Sequence, residues 1–138
     1  MSTLRTNALE GMDAKNSITI VAGAGNITTT NVQEGLCKCW VNFTGVTTTA
    51  ARDSFNVSSL TDVSTGRTTI NFSSNMNNTD FAGVMYQSGD TATAYTSFDN
   101  QYTGGLGSKT TDSVSVAAYA GSAIDAARNE VLLMGDLA

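Results

Sequence analysis

The sequence predicts an all-β fold, an antiparallel β-sandwich or jelly-roll-like knob behind an extended N-terminal leader. Three observations predict it. Short segments alternate apolar and polar side chains with a period of two, the pattern of a strand half-buried on a sheet. Ser, Thr and Asn make up roughly a third of the chain, and this composition favours strands and turns over long helices. Thirteen glycines and no proline fit closely spaced strands joined by tight turns, without a stiff linker between domains. At 138 residues the chain is most simply one domain, able to bury a core without metal or disulfide staples.

The leader is placed at residues 1–32 and the β-rich knob at 33–138. In the leader, Leu4, Ala8, Leu9 and Met12 have helix-like spacing that Gly11 and Asn16 interrupt, so mostly extended or irregular structure is expected. SITIVAG supplies one strand with Ile18 and Ile20 on a common face, and GAGN turns the chain. So short a leader buries little by itself and needs another chain or a particle surface to cover it.

From Gln33 to Phe72 the alternation is clearest. KCWVNF sets Cys39, Val41 and Phe43 against Trp40 and Asn42. RDSFNVSS sets Phe55 and Val57 against Ser54 and Asn56, and RTTINFSS sets Ile70 and Phe72 against Thr69 and Asn71. Three such strands in succession predict a meander, with Trp40, Phe43, Phe55, Val57, Ile70 and Phe72 as its structural core. SSNMNNTD reads as a polar loop, and FAGVMYQSGD as a further strand with Val84 and Tyr86 opposite Met85. Residues 91–112 read as a short strand and a long loop, least constrained at GGLG. DSVSVAAYAG is a strand with Val114, Val116 and Ala118 on one face, and SAIDAAR a single helical turn or a wide loop. EVLLMGD has too little polarity for a half-exposed strand, so burial on both faces or between subunits is expected.

Charge and chemistry narrow the function. Seven basic against twelve acidic residues give a net charge of −5, and the scattered Lys and Arg form no cluster to neutralise phosphates, which argues against nucleic acid as a partner. No apolar run is long enough to span a bilayer, so membrane insertion is not expected. GAGNIT lacks the third glycine of a dinucleotide turn, and GGLGSKTT has Ser108 where a phosphate loop needs Gly-Lys-Ser/Thr in register. Cys37 and Cys39 share a strand face at or beyond disulfide reach, and zinc would need two more ligands in a chain without histidine, so two free buried thiols and no metal or other cofactor are expected.

Without histidine the commonest general base is missing. Asp80, Asp90, Asp99 and Asp112 could in principle form a glycoside-cleaving pair, but acidic loop residues ordinarily serve as solvated turn formers, and no enzyme activity is expected. Five Asn-x-Ser/Thr triplets follow from the abundance of Asn and Thr in a chain whose start lacks a secretory signal. Tyr95, Phe98 and Tyr102, with Asp99 and Asn100, stand among small polar residues beside a Gly-rich run. They form a candidate receptor-contact loop offering flat rings and hydrogen-bonding groups to a sugar; the other reading packs the rings beneath the loop.

The segments LCKCWVNFTG, ARDSFNVSSLTD, TGRTTINF and VLLMGD together resemble a family of short tail-fibre and virion surface domains of bacteriophages, common among phages of marine bacteria. The matching positions are Trp40 to Phe43, Arg52 to Asp62, Asn71 to Phe72, and Gly135 to Asp136; the leader STLRTNALEGMDAKNSITI is also similar, whereas residues 80–108 follow no such pattern. The resemblance implies a homotrimer sharing a core around a threefold axis, located on the phage particle and assembled in the host cytoplasm. It also implies contact with a host surface polysaccharide or protein, and attachment to another virion protein through the leader. Two roles stay open, a receptor-binding tip and a decoration protein that caps or stabilises the particle. A polysaccharide depolymerase is a weaker third.

Overall fold

A computed structural model describes residues 19–22, 28–31, 35–88, 94–95, 105–119 and 122–138, and the chain falls into two units, Met1–Leu36 and Cys37–Ala138. In the first, β1 (Thr19–Ala22) and β2 (Thr28–Asn31) form an antiparallel hairpin in which Ala22 pairs with Thr28.

The second unit is an antiparallel β-sandwich. Its strands are β3 (Cys37–Thr44), β4 (Ala50–Phe55), β5 (Val57–Ser64), β6 (Arg67–Phe72), β7 (Ala82–Ser88), β8 (Ala94–Tyr95), β9 (Gly105–Lys109), β10 (Ser113–Ala117) and β11 (Arg128–Met134). The smaller sheet has the order β5-β6-β10-β9 and the larger β4-β3-β11-β7-β8. Successive hairpins β3–β4, β5–β6, β7–β8 and β9–β10 alternate between the sheets, and β11 enters the larger sheet between β3 and β7. Of the two expected architectures this is the sandwich, because β3–β4, β5–β6, β7–β8 and β9–β10 each pair within one sheet instead of winding across the two as in a jelly roll.

Alternation places the core. Cys39, Val41 and Phe43 of β3, Met85 of β7, and Val131 and Leu133 of β11 face Ile70 and Phe72 of β6 and Val114 and Val116 of β10. Phe43, Ile70 and Phe72 are thus buried as expected, and Val57 is half-buried against the same cluster.

Two expected core residues are elsewhere. Phe55 is 50% exposed, and Trp40 is only half-buried. The cause is Asn56, whose φ of 58° puts a left-handed residue in the middle of RDSFNVSS. The alternation resets there. Phe55 ends β4 in the larger sheet facing outward, whereas Val57 begins β5 in the smaller sheet facing the core, so the meander becomes a corner between sheets. Asn56 tolerates this conformation and fastens it: its Nδ2 donates to the carbonyls of Lys38 and Ser74, both at 3.0 Å, and its Oδ1 accepts from the Ser74 amide at 2.7 Å. Trp40 follows from β3 alternation, because Cys39 and Val41 take the inward positions on either side of it.

One other expectation changes, and two open choices meet the structure. The GGLG run, expected as a loop, enters β9, where Val116 pairs with Leu106 and the register shifts before Lys109 meets Val114. SAIDAAR forms a wide loop with no helical turn among its described residues. Within one chain β11 is covered on one face only, since Leu132 is 41% and Met134 38% exposed.

The ends of the sandwich are closed by irregular segments. At one end, residues 122–127 are tied to the larger sheet by the Gly45 amide to the Ala126 carbonyl (2.9 Å) and by Arg52 Nη2 to the Ala127 carbonyl (2.8 Å). The Gly66 amide, in the β5–β6 turn of the smaller sheet, donates to Asp125 Oδ1 at 2.7 Å. Buried Gln87 adds a two-point clamp, its Nε2 donating to the Tyr119 carbonyl (2.7 Å) and its Oε1 accepting from the Tyr119 amide (3.1 Å). A primary carboxamide can meet both backbone groups of one residue this way, as a neighbouring strand would. At the other end residues 73–81 turn back over the core, burying Met76 and Phe81.

Candidate functional site

Of the expected receptor-contact residues, Phe98, Asp99, Asn100 and Tyr102 lie outside the described residues. Tyr95 is in β8, paired with Gln87 of β7. Among the residues examined for acid–base chemistry, Asp90 and Asp99 also lie outside. Asp112 serves as a turn former: the Thr110 hydroxyl donates to its carboxylate, which holds that carboxyl below the usual range, helped by its own backbone amide. Asp80 donates its amide to Asn78 Oδ1 at 2.8 Å in the same manner of local turn. Among the described residues no group of three His, Cys, Asp or Glu side chains is placed to hold a metal ion, and no helix is long and apolar enough to cross a membrane.

Both cysteines are free thiols. Cys39 is fully buried in the core, and burial, with the nearby Cys37 second, pushes its thiol up to about 12. Cys37 is half-buried and donates to the carbonyls of Cys39 (3.1 Å) and Leu133 (3.4 Å). With thiolate as the reactive form, a disulfide reagent at pH 8 is expected to titrate no more than one thiol, Cys37, in the folded chain and both after denaturation. The linkage has a definite sign. An unfolded thiol ionises near 9 and the folded one near 12, so folding stability is fully held below 9 and falls as pH rises across that window.

The features that distinguish this surface are the outer faces of the two sheets, which have opposite characters. On the smaller sheet, Thr61 pairs with Thr69 and Thr69 with Ser115, while Ser59 pairs with Asn71 and Asn71 with Ser113. Asn71 Nδ2 donates to Ser59 Oγ (3.0 Å) and Thr61 Oγ1 (3.1 Å), and Ser58 Oγ donates to the Asn71 carbonyl (3.1 Å). That face is polar, and its hydrogen bonds are largely closed within it.

The larger sheet presents the reverse. Register puts Phe55 opposite Trp40, Trp40 opposite Leu132, and Leu132 opposite Val84, so one apolar row crosses β4, β3, β11 and β7. At a strand spacing of about 4.8 Å the row is roughly 14 Å long. Phe55 is 50% exposed and Val84 66%, and Met134 of the same outer face is also exposed. The next row toward the closed end is mostly polar: Asp53, Asn42 and Glu130 lead to Tyr86. There Asn42 Nδ2 donates to Glu130 Oε1 at 3.1 Å, and Arg52 reaches Asn42 Oδ1 at 3.4 Å. One half of the face is therefore apolar and the other half hydrogen-bonded.

A third feature lies where β4 and β5 meet, each at the edge of its sheet. An open groove of about 290 Å³ runs there, lined by Thr49, Ser54, Ser58 and Ser59 with Val57 and Leu60 beneath. It carries hydroxyls and no charged side chain, which suits a neutral polar group and gives nothing to activate a reaction.

The apolar row is hidden from sequence reasoning because Trp40 and Phe55 both read as core residues, and the signal for Phe55 is the left-handed-tolerant Asn56 between it and Val57. No family model matches the chain, and no curated protein or solved structure matches it.

Proposed function

We propose that this chain is a virion structural protein: a tail-fibre-type knob that works as a homotrimer, meets the host cell surface, and performs no catalysis. The observation that carries the assembly part is the row Phe55–Trp40–Leu132–Val84 on one outer face, set against the self-satisfied polar face of the other sheet. Full burial of a side chain of this size contributes about 1.5–3 kcal/mol, so four partly exposed ones together hold several kcal/mol for an interface. A second copy is the proposed cover, because a small all-β subunit that closes such faces into a ring also protects its apolar strands from open-ended aggregation. The resemblance of the Trp40–Phe43, Arg52–Asp62 and Gly135–Asp136 segments to phage surface domains supports the virion assignment. In this reading the leader, residues 1–32, attaches to another virion protein, and Tyr95, Phe98, Asp99, Asn100 and Tyr102 touch a host polysaccharide or protein.

The test is the mass of the native particle in solution and its adsorption to host cells. The unaltered chain is expected to run as a trimer at micromolar concentration. Leu132→Asp is expected to yield a folded monomer that no longer adsorbs, because three equivalent weak sites together exceed one by roughly two to four orders of magnitude. Tyr102→Ala is expected to stay trimeric and adsorb less. A well-folded monomer from the unaltered chain overturns the assembly reading, and a trimer with no affinity for host envelope leaves the decoration role in its place.

A further inference from the structure

The closed end of the sandwich contains a small cavity whose lining is not wholly apolar. Its volume is about 10 Å³, and Phe43, Met85 and Val116 line it together with Thr68, Asp125 and Asn129. That is about the volume that admits one water molecule and nothing larger.

Asn129 is 2% exposed and sits on the inward face of β11, beside Phe43 and Gln87 in the register. Its Nδ2 donates to the Ala126 carbonyl at 3.0 Å. The same carbonyl accepts from the Gly45 amide at 2.9 Å, so it can only face the donor end of the carboxamide. The orientation of the amide is thereby settled, and Oδ1 is left buried with no donor among the described residues. A buried carbonyl oxygen without a donor loses its hydration with nothing in return, which is reason for such oxygens to be met. Thr68 is 6% exposed on the inward face of β6 and lines the same cavity from the opposite sheet. A hydroxyl both donates and accepts, so it can serve a water from either side. The lining holds one carboxylate, Asp125, and that group already accepts the Gly66 amide, which favours a neutral guest over a cation.

We propose that one water molecule is a resident part of this fold, donating to Asn129 Oδ1 and hydrogen-bonded to the Thr68 hydroxyl, so that it joins the two sheets beneath the 122–127 segment. Its role is to complete the closure that Gly45, Gly66 and Arg52 make from outside.

The experiment counts long-lived internal waters by oxygen-17 relaxation dispersion and locates the site in a crystal structure fine enough to order water. The unaltered chain is expected to show a water within hydrogen-bonding distance of Asn129 Oδ1. Asn129→Leu is expected to lower the count by one. Thr68→Val, which keeps the Asn129 amide and the cavity's shape, is expected to shorten that water's residence time, and it provides the reading if the leucine variant does not fold. A dry cavity in the unaltered chain overturns the proposal. So does a monovalent cation at the site, revealed by anomalous scattering after rubidium exchange, and so does a water whose residence is unchanged in both variants.

Discussion

Gly66→Ala is expected to destabilise the sandwich by roughly 3 kcal/mol or more. Gly66 has φ of +71°, a region that costs an ordinary residue of itself. A Cβ there would lie 2.6 Å from the Ala118 carbonyl oxygen, 2.7 Å from the Ile124 nitrogen and 2.9 Å from the Ile124 oxygen. All three are backbone atoms, so no side chain can swing aside. The turn would have to leave the 122–127 segment, giving up the Gly66 amide to Asp125 and the Ala118 amide to the Gly66 carbonyl. Urea denaturation measures the loss. Gly107→Ala is the matched control, because its Cβ meets Ser115 at an ordinary 3.5 Å, and a change within about 0.5 kcal/mol is expected there. Equal losses in the two variants would refute the assignment of the strain to the turn.

Phe81→Ala is expected to cost about 3–5 kcal/mol, the range for emptying a buried aromatic site. Phe81 is 2% exposed and stands edge-on to Phe72, with ring centres 5.9 Å apart and planes at 78°. Lys109 Nζ lies 5.1 Å from the ring centre and donates to the Phe81 carbonyl at 2.7 Å, so the lysine that starts the β9–β10 turn leans on the same residue. Gly135 closes the other side so tightly that a Cβ on it would come 2.7 Å from Phe81 Cβ. Surroundings held by backbone on one side and an aromatic ring on the other collapse poorly into the space left behind. Phe55→Ala supplies the contrast: half-exposed in one chain, it is expected to change subunit folding by less than about 1 kcal/mol while weakening assembly. Reversed magnitudes in the two phenylalanine variants would mean that core and surface had been exchanged.

The candidate interaction surface was legible only in part. Alternation in KCWVNF and FAGVMYQSGD identifies which side chains share a face, and it correctly pairs Trp40 with Asn42 and Val84 with Tyr86 on the sides of their strands. It does not say which face meets the core, because Trp40 is as apolar as its inward neighbours Cys39 and Val41. Bulk by itself does not mark burial, since Trp40 stands half-buried on the outer face of its strand. Gln87 and Asn129 show the converse. Both are polar, both are buried, and each is held by backbone groups of a segment distant in sequence, Tyr119 in one case and Ala126 in the other. No local pattern announces such a bond.

What the sequence by itself determined is the all-β class, most of the strands, and the inward residues of β6 and β10, since each depends on interactions within a few residues of chain: the two-residue period and the turn preferences of Gly, Asn and Thr. What only the tertiary structure decided is how those strands are shared between two sheets. One left-handed residue, Asn56, turns a single apparent strand into the corner between them, because inverting φ at one position reverses the face of everything that follows. From that corner come the outward placement of Phe55 and the apolar row it begins.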